Sequence, residues 1–295
     1  MVDTKILSGI EASHALYDSL HERISSLKDK GVTPGLAAIL VGEDPASQIY
    51  VRNKTKRFDA LGLKSELHRL DKSVSEEELL DLIAKINSDD SFHGILVQLP
   101  LPKHIDSDKV IHAIHPTKDV DGFHPENAGL LSIGRPRFIP CTPKGIMFML
   151  KHFNVDLNGK HVVVVGRSNI VGTPVSIMLS RKAKVGNATV TLTHSRTRDL
   201  TAELLRADIV IAAIGIPEFV TGDQIKDGAV IIDVGINRVD DDTRKSGYRL
   251  VGDVEWDSVS PKASYITPVP GGVGPMTVTS LLMNTLKASA NEVYG

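Results

Sequence analysis

The chain has 295 residues, with 34 lysines and arginines against 36 aspartates and glutamates and a net charge of −2. That near-balance leaves no field for nucleic acid or an anionic membrane, and no apolar run approaches the ~20 residues of a membrane span. The length suggests about two domains, and a lone cysteine, Cys141, rules out an internal disulfide and suits a reducing cytoplasm. Residues 1–18 carry early acids and no apolar h-region, unlike a signal or transit peptide.

Taken in order, Ile10–Lys28 reads as one amphipathic helix with Leu16, Leu20, Ile24 and Leu27 on a stripe. Leu36–Gly42 is a buried strand. Asp44 and Pro45 then open a helix as N-cap and first residue, and that helix carries Tyr50 and Lys54 one turn apart. Ser65–Leu70 is a second strand. Ser75 with Glu78 forms a capping box ahead of a helix, and Gly94–Leu99 is a third strand stopped by Pro100 and Pro102. The turn-rich stretch His115–Asn127 reads as a loop, and Thr142-Pro143 caps a helix to about Lys151.

The second half alternates again: strands at Val162, Ala188–Thr193, Asp208–Ile214, Ala229–Val234 and Tyr265–Ile266, with helices after Gly172 and over Asp199–Arg206. Pro268–Pro275 is a stiff glycine–proline loop before a closing helix, Met276–Ala290. Both halves are therefore α/β, and the second is a Rossmann-like parallel sheet.

The most informative stretch is Lys160–Pro174. Four valines, Val162–Val165, form a strand buried on both faces, Gly166 turns the chain, and a helix starts near Gly172. Free N–H groups and the helix dipole make an anion site there, with Arg167 adding a formal charge. The pattern departs from G-x-G-x-x-G because Ser168 replaces the second glycine and Gly172 falls one residue late. A purely structural strand–turn–helix is the alternative. Beyond the second strand lie His194, Ser195 and Arg196 in place of the acid that an NAD site carries. Arginine and serine can bind a 2′-phosphate by donating charge-assisted hydrogen bonds to it, so NADP is favoured, with a solvated basic loop as the alternative.

For chemistry, Lys54 is a candidate proton-exchange group on a helix face, if it is not simply solvated. Gln98 lies at the carboxyl end of an apolar strand, where open α/β sheets place ligands, or at an exposed edge. Asp119, Asp121, His115 and His124 share a loop but meet no zinc spacing. Asp121 is better read as a bidentate acceptor for a ring with adjacent N–H and NH₂ donors. Cys141 has no partner sequence for a nucleophile and reads as a small apolar residue.

These residues fall within six pieces: Tyr50-Val-Arg-Asn-Lys54, Gly94-Ile-Leu-Val-Gln-Leu-Pro100, Lys118-Asp-Val-Asp-Gly122, Pro140-Cys-Thr-Pro-Lys-Gly145, Gly166-Arg-Ser-Asn-Ile-Val-Gly172 and Pro268-Val-Pro-Gly-Gly-Val-Gly-Pro275. In that order they resemble the bifunctional methylenetetrahydrofolate dehydrogenase / methenyltetrahydrofolate cyclohydrolase family. The resemblance spans nearly the whole chain. It implies Lys54 as catalytic lysine, Gln98 as its support, Tyr50 stacking on the folate aminobenzoate and Asp121 binding the pterin. It implies Gly166, Arg167, Ser168, Ser195 and Ile236 at the NADP site, with Gly271 and Gly272 near both ligands. It also implies two α/β domains with a cleft between them: 1–145 plus 275–295 for folate and 146–274 for NADP, in a cytoplasmic homodimer. Two rivals are an amino-acid or hydroxy-acid dehydrogenase, which has no use for a pterin acceptor, and a non-catalytic NADP-binding regulator, which leaves Lys54, Gln98 and Asp121 idle.

Overall fold

The computed structural model describes residues 3–244 and 247–293, without the side chains of residues 45–47, 49, 50 and 53. Two short elements begin the chain, β1 (Lys5–Ile6) and α1 (Gly9–His14), followed by α2 (Tyr17–Asp29). Next come β2 (Gly35–Val41), α3 (Pro45–Ala60), β3 (Lys64–Leu70), α4 (Glu76–Asn87), β4 (Gly94–Val97), α5 (Ser107–Ala113), α6 (Pro125–Ser132) and α7 (Cys141–His152). The later half runs β5 (His161–Val165), α8 (Gly172–Ser180), β6 (Thr189–Thr193), α9 (Leu200–Arg206), β7 (Ile209–Ala212), β8 (Val230–Asp233), β9 (Asn237–Asp240), β10 (Tyr248–Val251), α10 (Trp256–Val259), β11 (Tyr265–Ile266) and α11 (Val273–Ser289).

The chain forms two compact units, one holding residues 16–141 and 278–295, the other 1–15 and 142–277. The first contains a three-stranded parallel sheet in the order β3-β2-β4. All seven residues of β2 are buried, as expected for a central strand covered on both faces. Leu36, Ala38 and Leu40 face a cluster that includes Val51 and Phe58 of α3; Ala37, Ile39 and Val41 face Leu79 and Ile83 of α4. The Ser75–Glu78 capping box fixes the start of α4 in both directions.

The second unit contains a six-stranded sheet in the order β1-β11-β8-β7-β5-β6, parallel throughout. Val162–Val165 are buried on both faces, as their continuous apolar run predicts. A separate antiparallel pair, β9 with β10, follows β8.

Several boundaries differ from the sequence expectation. Residues 1–145 were expected in one domain, yet residues 3–15 belong with the six-stranded sheet. The reason is β1, which pairs in parallel with β11, with Lys5 N–H on the Ser264 carbonyl at 2.9 Å and Leu7 N–H on Ile266 at 2.8 Å. The helix expected over Ile10–Lys28 is accordingly two, α1 and α2, and the division between units falls between them, after Ala15. The 115–127 loop is shorter than expected, because His124 caps α6 through its ring and Pro125 begins it. Among the described residues no helix is long and apolar enough to cross a membrane.

Candidate active site and cofactor rim

In the three-stranded unit, the carboxyl ends of β2 and β4 carry the candidate chemistry. Lys54 lies on α3 between Val51 and Phe58, both fully buried, so its face of the helix is the core face. It is only 7 % exposed, unusual for a lysine unless something receives its charge. Its Nζ donates to Gln98 Oε1 at 3.3 Å. Gln98 Nε2 in turn donates to the Leu99 carbonyl at 2.7 Å, which turns the amide oxygen towards the lysine. The backbone of Gln98 continues the sheet, its N–H donating to Ile39 at 2.9 Å. Tyr50 lies on α3 one turn before Lys54, and its side chain is outside the described residues.

Asp121 joins this pair through a loop that runs beside β4. Ile95 N–H donates to the Lys118 carbonyl at 2.8 Å, and Ile95 bridges Asp119 in parallel. Asp119, 1 % exposed, holds the turn: its carboxylate accepts from the N–H groups of Gly122, Phe123 and His124 and from Asn127 Nδ2. This use of all its acceptor capacity leaves it unavailable as a metal ligand. Among the described residues no group of three or more His, Cys, Asp or Glu could hold a metal. Asn284 of α11 clamps the same loop, donating to Val120 at 2.8 Å and Ile139 at 2.9 Å.

The carboxyl of Asp121 is buried and pushed up to about 6. Burial is the main cause; the Lys54 charge pulls it down, Asp119 pushes it up, and the Cys141 thiol donates to it. Lys54, Gln98 and Asp121 therefore share one electrostatic site. Asp119 and Cys141 were not expected to contribute to it. Sequence offered no signal for Cys141, which reads as an apolar residue and is indeed 2 % exposed.

The second set lies on the carboxyl rim of the six-stranded sheet. Gly166 has φ +108°, and a Cβ there would run into the Ala213 carbonyl; a Cβ on Gly172 would run into the Gly166 carbonyl. The two glycines thus pack the start of α8 onto the end of β5. Ser168 caps this turn, its Oγ accepting from Val171 N–H at 3.2 Å and Gly172 N–H at 3.4 Å. Arg167, Ser195 and Arg196 are exposed. Val165 and Thr193 are register partners, so Arg167 and Ser195, each two residues further on, leave neighbouring strands at one level. Further along the rim, Ile236, Gly271 and Gly272 line a small pocket made by 233–236 and 268–274. Gly9 N–H donates to the Gly271 carbonyl at 2.9 Å, tying α1 to that loop.

A parallel sheet with a glycine-packed strand–turn–helix and a basic group at its rim defines a Rossmann-like dinucleotide-binding fold. A cradle closed to any Cβ, with exposed cations beside it, fits a dinucleotide phosphate. Similarity to known proteins narrows the class. Residues 7–121 match the catalytic domain of tetrahydrofolate dehydrogenase/cyclohydrolase, and residues 140–293 match that family's NAD(P)-binding domain. The chain belongs to the tetrahydrofolate dehydrogenase/cyclohydrolase family. It is 55% identical over 290 residues to the bifunctional protein FolD 2 of Geobacter metallireducens, covering 98% of each chain. The crystal structure of the bifunctional FolD of Campylobacter jejuni is similar at TM-score 0.90 and 47% identity, covering 98% of this chain and 99% of that one. A Trypanosoma brucei FolD, solved with NADP cofactor and an inhibitor, is similar at TM-score 0.94 and 40% identity over the full length of both.

Proposed function

We propose that this protein oxidises 5,10-methylenetetrahydrofolate to 5,10-methenyltetrahydrofolate with NADP⁺ and then hydrolyses the product to 10-formyltetrahydrofolate. The observation that carries it is the hydrogen bond from the buried Lys54 to the half-buried Gln98, beside the buried Asp121 carboxyl, in a chain of this family. The three-stranded unit is proposed to hold the folate and the six-stranded unit the dinucleotide, in a cytoplasmic homodimer.

NADP⁺, when bound, accepts the hydride from the folate's bridging carbon. The protein's task in that step is to fix distance and angle, because the folate nitrogens already stabilise the methenyl cation. Asp121 accepts the adjacent N–H and NH₂ of the pterin ring through its two oxygens, and Tyr50 stacks on the aminobenzoate. In the hydrolytic step water adds to the methenyl carbon and the ring opens, which requires proton movement. Lys54 handles that proton while Gln98 orients the ammonium through its Oε1. Both steps act on one carbon, so one site serves both. Formation of methenyltetrahydrofolate from the methylene substrate and NADP⁺, followed by its decay to the formyl product, tests the reading; neither absorbance change would point to a non-catalytic NADP-binding protein.

Arg167 and Ser195 leave adjacent strands at one level and are proposed to take the 2′-phosphate, with Gly166 and Ser168 at the pyrophosphate turn, Ile236 further along the cofactor site, and Gly271 and Gly272 on a loop near both ligands. NADP⁺ is then preferred over NAD⁺. Arg167→Ala removes a charge-assisted contact worth roughly 1.5–3 kcal/mol, and selectivity should fall about tenfold or more. Equal kcat/KM for both cofactors in the unmutated protein would remove the basis of this assignment.

A further inference from the structure

Two aspartates that the chemistry above does not use lie beneath the rim of the six-stranded sheet. Asp233 ends β8 and is 4 % exposed; Asp253 lies two residues beyond β10 and is fully buried. Asp233 Oδ1 accepts from the N–H groups of Gly235 at 3.0 Å and Asp253 at 2.8 Å, and its Oδ2 accepts from Val254 at 3.0 Å. Asp253 Oδ2 accepts from Ile214 at 2.7 Å and Gly215 at 2.9 Å, and its Oδ1 from Asn237 Nδ2 at 2.9 Å. Two glycines make the room: a Cβ on Gly235 would run into the Asp253 carboxylate, and one on Gly252 into that of Asp233.

The pair sews together segments that leave the carboxyl ends of three strands: Ile214–Gly215 after β7, Gly235–Asn237 after β8, and Asp253–Val254 after β10. An apolar anchor would cost less to bury, and the cost is visible in Asp233, which burial pushes up to about 7 with repulsion from Asp253 adding to it. A carboxylate, however, offers about four acceptor sites and can gather N–H groups from several loops at once. The strand order puts β6 and β5 at one end of the rim, with β7 and β8 next along it. A dinucleotide whose 2′-phosphate sits over β5 and β6 therefore lays its nicotinamide half over the loops that this pair fixes.

We propose that Asp233 and Asp253 are positioning residues for NADP⁺, setting the loops that receive its nicotinamide half. The proposal rests on the dinucleotide reading of the six-stranded unit. The two carboxylates differ in a way that an isosteric change exposes. All three partners of Asp233 are main-chain N–H groups, which cannot be turned, so Asp233→Asn must aim an amide N–H at another N–H. Asp253 shares one oxygen with the Asn237 side chain, whose amide can turn to present its own oxygen to a new NH₂.

The test is the Kd of NADP⁺ by calorimetry, with hydrolysis of supplied methenyltetrahydrofolate, measured without NADP⁺, as a second readout. Asp233→Asn should raise Kd roughly tenfold or more, whereas Asp253→Asn should raise it no more than about threefold. The kcat for hydrolysis by Asp233→Asn at saturating methenyltetrahydrofolate should stay within about twofold of the unmutated value, because Lys54 and Gln98 lie outside the loops that Asp233 holds, whatever happens to KM; a parallel collapse of NADP⁺ binding and of that kcat would mean a general structural role and overturn the proposal. Both changes replace one buried carboxyl with an amide, so equal shifts would mean an effect of that replacement itself rather than of the loops each residue holds, and would also overturn it. Should Asp233→Asn not fold, Asp253→Ala decides: it leaves the Ile214 and Gly215 N–H groups without an acceptor and should weaken NADP⁺ roughly tenfold relative to Asp253→Asn. An unmutated protein that fails to bind NADP⁺ refutes the dinucleotide reading; one that binds it with the same Kd as Asp233→Asn refutes the inference alone.

Discussion

Lys54→Met should abolish hydrolysis of supplied methenyltetrahydrofolate while dehydrogenase activity falls less. Methionine matches the length of the lysine stem and fills the same space between Val51 and Phe58, so the core face of α3 stays packed. What it lacks is an exchangeable proton and a donor for Gln98 Oε1. Hydride departure requires no protein base, since the electron pair leaves with the hydride. Addition of water and ring opening both move protons, and a positioned acid–base group contributes roughly 10²–10⁴-fold. The expected result is a hydrolysis rate at the spontaneous level. The dehydrogenase loss should be smaller, through poorer folate placement. The two activities separate cleanly in assay, one by methenyl formation with NADP⁺ and the other by methenyl decay corrected for spontaneous hydrolysis. An unmutated rate of decay in the variant would show that Lys54 is not the proton-transfer group. Equal loss of both, with weakened folate binding, would make its role binding rather than proton transfer.

Why Lys54 could be found from sequence, and why other groups could not, has a physical reason. Strands such as Val162–Val165 and Leu36–Val41 are buried on both faces, so composition alone reveals them. Lys54 stands one turn from Tyr50, a spacing readable in sequence, within a piece that the family resemblance marks; its burial between Val51 and Phe58 appears only in the fold. By contrast, β1 is two residues long and exposed, and only its parallel partner β11, some 260 residues away in sequence, makes it a strand. The hairpin β9–β10 alternates charged and half-buried residues and carries no apolar run to mark it. Asp119, Asp233 and Asp253 look like ordinary loop or strand-end acids. Their importance lies in which N–H groups they collect, and those donors come together only in the folded chain. Tertiary hydrogen bonds of this kind have no period, so no pattern of spacing announces them.

Asp121→Asn should make the protein more stable above pH 6 and worse at binding folate. In the folded chain the carboxyl is pushed up from 3.8 to about 6, chiefly by burial. The folded state therefore holds the proton more tightly than the unfolded state between those two values. By linkage, the contribution of this group to stability is greatest below about pH 4 and declines as pH rises to about 6, beyond which the ionised buried form is carried at full cost. A neutral amide of the same shape avoids that cost, a gain of roughly 1–3 kcal/mol at pH 8, the attraction to Lys54 being already contained in the net shift. The thermal midpoint should rise by several degrees at pH 8 and by little at pH 4. Folate binding runs the other way. A bidentate acceptor must be ionised, so folate affinity of the unmutated protein should drop as pH falls through about 6, and the variant should bind weakly at every pH with NADP⁺ binding nearly unchanged. Calorimetric titration of folate and NADP⁺ at pH 5 and 8, with thermal melts of both proteins, reads all of these. A variant less stable at pH 8 than the unmutated protein would mean that Asp121 is held ionised by Lys54 and the Cys141 thiol at no net cost. A variant that lost NADP⁺ and kept folate would reverse the assignment of the two ligands.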